Sequence, residues 1–172
     1  QVDPGGQQTD VRAPTQVTGA GRTLLPASAL GPGGRHVCVI GRTTGEVFCQ
    51  GHAVTAGLVE LNSPATVRAL TSGDVHSCAL LSDGTAQCWG DNGFCLLGRN
   101  TPTPYGQPPG AVSGSDGRGA LNDIVHLAAY GGSTCAVRRD GSLWCWGMND
   151  GIENTGDAGC APLPTRIAIP AL

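Results

Sequence analysis

Six cysteines of this chain fall in three pairs, Cys38 with Cys49, Cys78 with Cys88 and Cys135 with Cys145, and every pair brackets the same construction. An apolar run opened by a cysteine leads into a short polar break containing Gly, and a second apolar run closes on the next cysteine. The fullest copy is HSCALLSDGTAQCWGDNGFCLLG, from His76 to Gly98. A second version, STCAVRRDGSLWCWGMNDG, runs from Ser133 to Gly151, and a worn third, HVCVIGRTTGEVFCQG, from His36 to Gly51. Self-similarity of this kind means a repeat array, in which each unit buries its apolar faces only against its neighbours.

The spacing predicts a β-hairpin in each copy. If Cys78 stands opposite Cys88, the pairing is centred on Asp83 and leaves the three-residue loop Ser82-Asp83-Gly84, a type I turn followed by a left-handed residue that Gly84 tolerates. Cys135 and Cys145 centre on Asp140 in the same way, with Gly141 in the left-handed place. Cys38 and Cys49 are one residue further apart, so their loop becomes Arg42-Thr43-Thr44-Gly45. Directly opposed residues have Cβ atoms about 4.5 to 5.5 Å apart, closer in non-hydrogen-bonded pairs, so each hairpin can carry its own disulfide. Loops this short contribute about 2 to 3 kcal/mol apiece in the chain-entropy account.

Composition agrees with short strands and tight turns: Gly is 28 of 172 residues, Pro 12, and charged residues only 13%. Leu80 with Leu81, Ala136 with Val137, and Leu143 with Trp144 and Trp146 leave the hairpins with no polar face, which predicts sheets stacked between sheets, as in a propeller. A further strand is expected ahead of each hairpin, because residues 27–40, 67–80 and 124–137 align on the first cysteine. Gly33 and His36 match Gly73 and His76 there, whereas the third copy has Tyr130 and Ser133. Pro-led segments at 14–19, 63–70, 108–114 and 162–169 resemble one another and read as one more strand set, with an orphan at the start. Residues 1–13 read as a polar, flexible tail and 14–172 as one three-repeat domain.

The formal net charge of −3, with no Lys, leaves no electrostatic footprint for nucleic acid or an anionic membrane. No apolar run approaches the roughly 20 residues that span a bilayer. The eight cysteines include no CxxC pair and no His at metal-ligand spacing, so no metal and no cofactor is expected, and disulfides place the protein in an oxidising, secreted or cell-surface setting. Cys95 and Cys160, left over from the hairpins, follow corresponding blade ends. They either join the loops of two blades or pair between chains.

The pattern carried by His76, Cys78, Ala79, Leu80, Asp83, Gly84, Cys88, Trp89, Gly90, Asn92, Leu97 and Gly98 resembles the repeat of the regulator of chromosome condensation family in its cysteine-bearing bacterial form. Cys135, Ala136, Val137, Asp140, Gly141, Cys145, Trp146, Gly147 and Asn149 match again, and the first copy is weaker, with Gln50 where the Trp belongs. The resemblance implies an all-β, β-propeller-type array of about three four-stranded blades. Typical propellers close with four to eight blades, so three imply a partial ring or one completed by self-association. It also implies protein binding, since secreted bacterial relatives include protein inhibitors of β-lactamase. The exchange-factor activity of nuclear members finds no matching loop here.

No catalytic residue is expected. His36 and His76 recur at one repeat position, Asp83 and Asp140 sit in turns where Asp bonds its own backbone, and Trp89 and Trp146 recur as packing between blades. The segment 149–157 has oxygen ligands but not the order of a calcium loop. Binding is expected where the copies disagree, at Phe94, Arg99, Tyr105, Met148 and Asp150, because loops on a rigid scaffold carry recognition. The partner is expected to be a protein or a second copy of the chain in a homo-oligomer or filament. A carbohydrate-binding propeller or an enzyme is a weaker reading, because nothing assembles a nucleophile, a base and an oxyanion site.

Overall fold

Each hairpin cysteine pair is directly opposed, and this sets the register of three separate sheets. A computed structural model describes residues 26–52, 54, 57–101, 104–148 and 159–168. Cys38 faces Cys49, Cys78 faces Cys88 and Cys135 faces Cys145, all as disulfides with Cα atoms 4.1 Å apart. The loops follow the expected arithmetic. Leu81 N–H donates to Thr85 O at 2.9 Å and Arg138 N–H to Ser142 O at 3.0 Å, which encloses three residues each, with Gly84 at φ 79° and Gly141 at φ 81°. Gly41 N–H donates to Glu46 O at 2.9 Å around the four-residue loop of the first hairpin.

Every hairpin sits in the middle of a four-stranded antiparallel meander. Blade 1 is β1 (Ala27–Pro32), β2 (His36–Gly41), β3 (Val47–Gly51) and β4 (Gly57–Val59). Blade 2 is β5 (Val67–Ser72), β6 (His76–Leu81), β7 (Ala86–Gly90) and β8 (Gln107–Ala111). Blade 3 is β9 (Ile124–Tyr130), β10 (Ser133–Arg138), β11 (Leu143–Met148) and β12 (Cys160–Ile167). The described residues therefore form three blades of an all-β propeller-type array, with no closed sheet among them.

One expectation is corrected. The Pro-led segments at 108–114 and 162–169 do contribute fourth strands, β8 and β12, but 63–70 runs through the linker into the first strand of blade 2. The fourth strand of blade 1 is instead the three-residue β4. The tail at 1–13, the Pro-led segment at 14–19 and the loop at 149–157 lie outside the described residues.

Stacking is front to back. The disulfide face of blade 1, with Cys38, Val47, Cys49 and Val59, packs on Ala79, Leu81 and Trp89 of blade 2. The opposite face of blade 2, with Cys78, Leu80, Ala86 and Cys88, packs on Ala136 and Trp146 of blade 3. Blade 2 is thus covered on both sides, and every residue of β6 and β7 is buried. Blades 1 and 3 alternate instead, because among the described residues only one face of each is covered by another blade.

A polar joint accompanies each stack. His36 Nε2 and Ser77 Oγ stand 2.7 Å apart, as do His76 Nε2 and Thr134 Oγ1, each pair linking one blade to the next. Ser72 donates to Gly31 O at 3.0 Å, which leaves its oxygen to accept from Ser77 and Ser77 to accept from the His36 Nε2–H. Backbone bonds run alongside, from Gly34 N–H to Gly73 O at 3.1 Å and from Asp74 N–H to Gly131 O at 2.8 Å.

Burial pushes the His76 pKa down from 6.5 to about 4, with neighbouring His36 lowering it further, and burial lowers His36 too. A lowered histidine pKa means that the unfolded chain takes up a proton that the folded chain refuses. Stability is then complete above pH 6.5 and falls as pH drops towards 4. For His76 the loss is about 3 kcal/mol at 1.36 kcal/mol per pKa unit. Denaturant titrations at pH 7 and pH 4.5 are expected to show this loss, and His76→Gln to reduce it.

Candidate functional site

In an antiparallel meander the loops alternate between two ends of the stack. One end of this array holds the short hairpin loops and the linkers between blades. There Asp83 Oδ1 accepts from Thr85 N–H at 3.0 Å and from its hydroxyl at 2.7 Å, and Asp140 Oδ1 accepts from Ser142 N–H at 2.9 Å and its hydroxyl at 2.6 Å. These bonds lower both carboxyl pKa values and commit the two aspartates to their turns. The His36 and His76 rings are buried in the blade joints. Among the described residues no three His, Cys, Asp or Glu side chains gather as metal ligands would.

The other end holds the turns at 33–35, 73–75 and 131–132 and the long connections from third to fourth strands. Polar residues shape the connection of blade 2. Asn92 Oδ1 accepts from Leu97 N–H at 3.1 Å, and Asp91 Oδ1 from Gly93 N–H at 2.5 Å. Leu96 and Leu97 are thereby turned down between blades 2 and 3, where Trp146 Nε1–H donates to Leu96 O at 3.0 Å. Gly98 lies flat under that indole, since a Cβ there would come within 2.9 Å of Trp146 Nε1. Cys95 is disulfide-bonded to Cys160 at the start of β12, with Cα atoms 5.8 Å apart, so the connection is tied to blade 3 as well. Of the two pairings open in the sequence, this is the one within a single chain.

The five residues expected to bind have different fates. Phe94 (55% exposed) and Tyr105 (73%) project from the pinned connection. Arg99 is turned inward: its guanidinium donates to Cys88 O, Gly110 O and Pro108 O, all at 2.7 Å. The need arises because Pro108 and Pro109 have no N–H for the ladder between β7 and β8, whose register slips between Cys88 and Gly90. Arg99 supplies donors there, and burial lowers its pKa. Met148 packs against the core between blades 2 and 3 and receives no such exposure. Asp150 lies outside the described residues.

Sequence reasoning passed over Tyr130, which is 90% exposed at the equivalent turn of blade 3. Its signal was the break in the Gly33 and Gly73 pattern. Phe94, Tyr105 and Tyr130 are the exposed aromatic rings among the described residues, and all three belong to this end of the array. A shallow groove of about 320 Å³ lies between β4 and β8, lined by Leu58, Glu60, Trp89 and Pro108 among others.

Two stretches, residues 67–94 and 124–151, match the model of the regulator of chromosome condensation (RCC1) repeat. They coincide with the first three strands of blades 2 and 3. No curated protein sequence matches the chain. Among solved structures, Prp20p from Saccharomyces cerevisiae, which binds Gsp1p and histones, superposes with a TM-score of 0.67 at 21% identity over 84% of this chain and 37% of its own. The yeast RCC1 (Prp20) bound to Kap60 gives 0.68 at 20% identity over 84% of this chain and 36% of its own. Human WBSCR16 gives 0.67 at 16% identity, covering 86% and 42%. The chain thus spans well under half the length of these proteins, and the likeness is one of fold.

Arg99 generates a direct test. Arg99→Met is expected to cost about 3 kcal/mol in denaturant unfolding, because three carbonyls lose a charged donor. Arg99→Lys recovers at most part of that, since an ammonium lacks the planar fork.

Proposed function

We propose that this chain, which carries RCC1-type repeats, is a secreted, non-catalytic protein-binding module that meets its partner through the end bearing Phe94, Tyr105 and Tyr130. The observation that carries the reading is the segregation of aromatic side chains. Trp89 and Trp146 are consumed in the joints between blades, while the exposed aromatic rings lie on one end of a disulfide-braced scaffold. Exposed aromatics on held loops present large contact area with few torsions to freeze, which is what protein interfaces use as anchors.

The Asn92 bond, the buried Leu96 and Leu97, and the tie from Cys95 to Cys160 hold the loop before any partner arrives. Preorganisation of this kind lowers the ordering cost of binding. The four cystines, with no free cysteine among the described residues, support an oxidising compartment and hence secretion. Protein binding by the yeast neighbour supports the same class of function, without carrying its partners over. Fixed roles for His36, His76, Asp83 and Asp140 in joints and turns remove the titratable side chains best placed for chemistry.

The test is capture of proteins from the extracellular medium of the producing cells, on wild type and on Phe94→Ala, Tyr105→Ala and Tyr130→Ala. At least one substitution is expected to weaken a captured partner's Kd by about tenfold or more. Stability should stay within about 0.5 kcal/mol, because the three rings are exposed. Capture unaffected by all three substitutions would sink the proposal.

A further inference from the structure

The two joints inside this chain use the same residues at the same repeat positions. The leading blade offers a histidine two places before its first cysteine, His36 or His76, folded over a glycine, Gly33 or Gly73. The following blade offers a hydroxyl one place before its first cysteine, Ser77 or Thr134, and a tryptophan one place after its second, Trp89 or Trp146. The glycine is required by the joint. A Cβ on Gly33 would stand 2.6 Å from Gly73 O of the next blade and 2.7 Å from Cε1 of His36, and Gly73 is crowded in the same way by Gly131 O and the His76 ring.

All four positions are exchanged on the two outward faces. Blade 3, which would lead a further joint, has Tyr130 for the glycine and Ser133 for the histidine. Ser133 Oγ turns back to its own blade, donating to Met148 O at 3.3 Å. Blade 1, which would follow a preceding blade, has Val37 for the hydroxyl and Gln50 for the tryptophan. The back of blade 1 is still apolar, with Leu30, Val39, Phe48 and Leu58 in one row across the sheet. What has been removed is the joint, not the hydrophobicity.

We propose that these exchanges make the outer faces of blades 1 and 3 non-joining: neither seats a blade of the internal kind, and a second copy of this chain does not continue the array head to tail. If one did, Ser133 would meet Val37 with no hydrogen bond, Gln50 would replace the indole wedge, and Tyr130 would be driven into the carbonyl of the incoming turn. The same exchanges release Tyr130 to stand 90% exposed beside the recognition loops. This inference is independent of what the loops bind.

Light scattering from micromolar to millimolar concentration at neutral pH is expected to give the chain mass of 17.3 kDa throughout. The variant Val37→Ser, Gln50→Trp, Tyr130→Gly, Ser133→His, which restores both halves of the joint, is expected to gain concentration-dependent mass. To guard against misfolding, the exchanges are also divided: one protein carries Tyr130→Gly with Ser133→His and a second carries Val37→Ser with Gln50→Trp, and their mixture is expected to form a one-to-one complex. A wild-type oligomer that Val39→Asp dissociates would overturn the proposal. So would restored variants that stay monomeric both alone and mixed.

Discussion

The fold depends on burying both faces of a small sheet. A four-stranded meander with apolar residues on either side cannot be stable alone, and here the disulfide-bearing faces of blades 1 and 2 are each covered by the tryptophan-bearing face of the next blade. Apolar burial drives the stacking, but it is nondirectional. Orientation comes from the polar joint, where a histidine on one blade meets a hydroxyl on the next at 2.7 Å. Leaving either partner unpaired in such a dry place is costly, so the joint penalises a wrong register more strongly than it rewards the right one.

Rigidity at the loop end follows from the same economy of groups. Two prolines in β8 weaken the edge of blade 2, and Arg99 repairs it from the adjoining connection. That repair, the Asn92 bond and the tie from Cys95 to Cys160 pin a connection long enough to be mobile otherwise. The proposed recognition surface is then a by-product of how the blades are closed, with Phe94, Tyr105 and Tyr130 exposed at the end where the connection is secured.

Local arithmetic reached far in this chain. Cysteine spacing, the Asp-Gly turns and the loop lengths were legible because a hairpin is decided by residues a few positions apart, and the tryptophans were legible as packing because they recur. The fate of single loop residues was not. Arg99 and Met148 share the irregular composition of Phe94 and Tyr105, yet they face inward, because which side chain a loop buries depends on carbonyls and cores supplied by other strands. The exposure of Tyr130 escaped notice because its departure from the glycine pattern has meaning only beside the blade it does not touch. The Pro-led pattern misplaced one strand, since the linker before β5 and the outer strands β8 and β12 share a proline opening for different reasons.

By itself the sequence determined the unit: a cystine-closed hairpin, repeated three times, with no polar face and hence a need for neighbours. Only the tertiary structure decided the order of contact, which face leads and which follows, and so which residues are joints. The physical reason is that apolar periodicity specifies burial without naming the covering surface. Short hydrogen bonds between residues some 41 and 58 positions apart do name it.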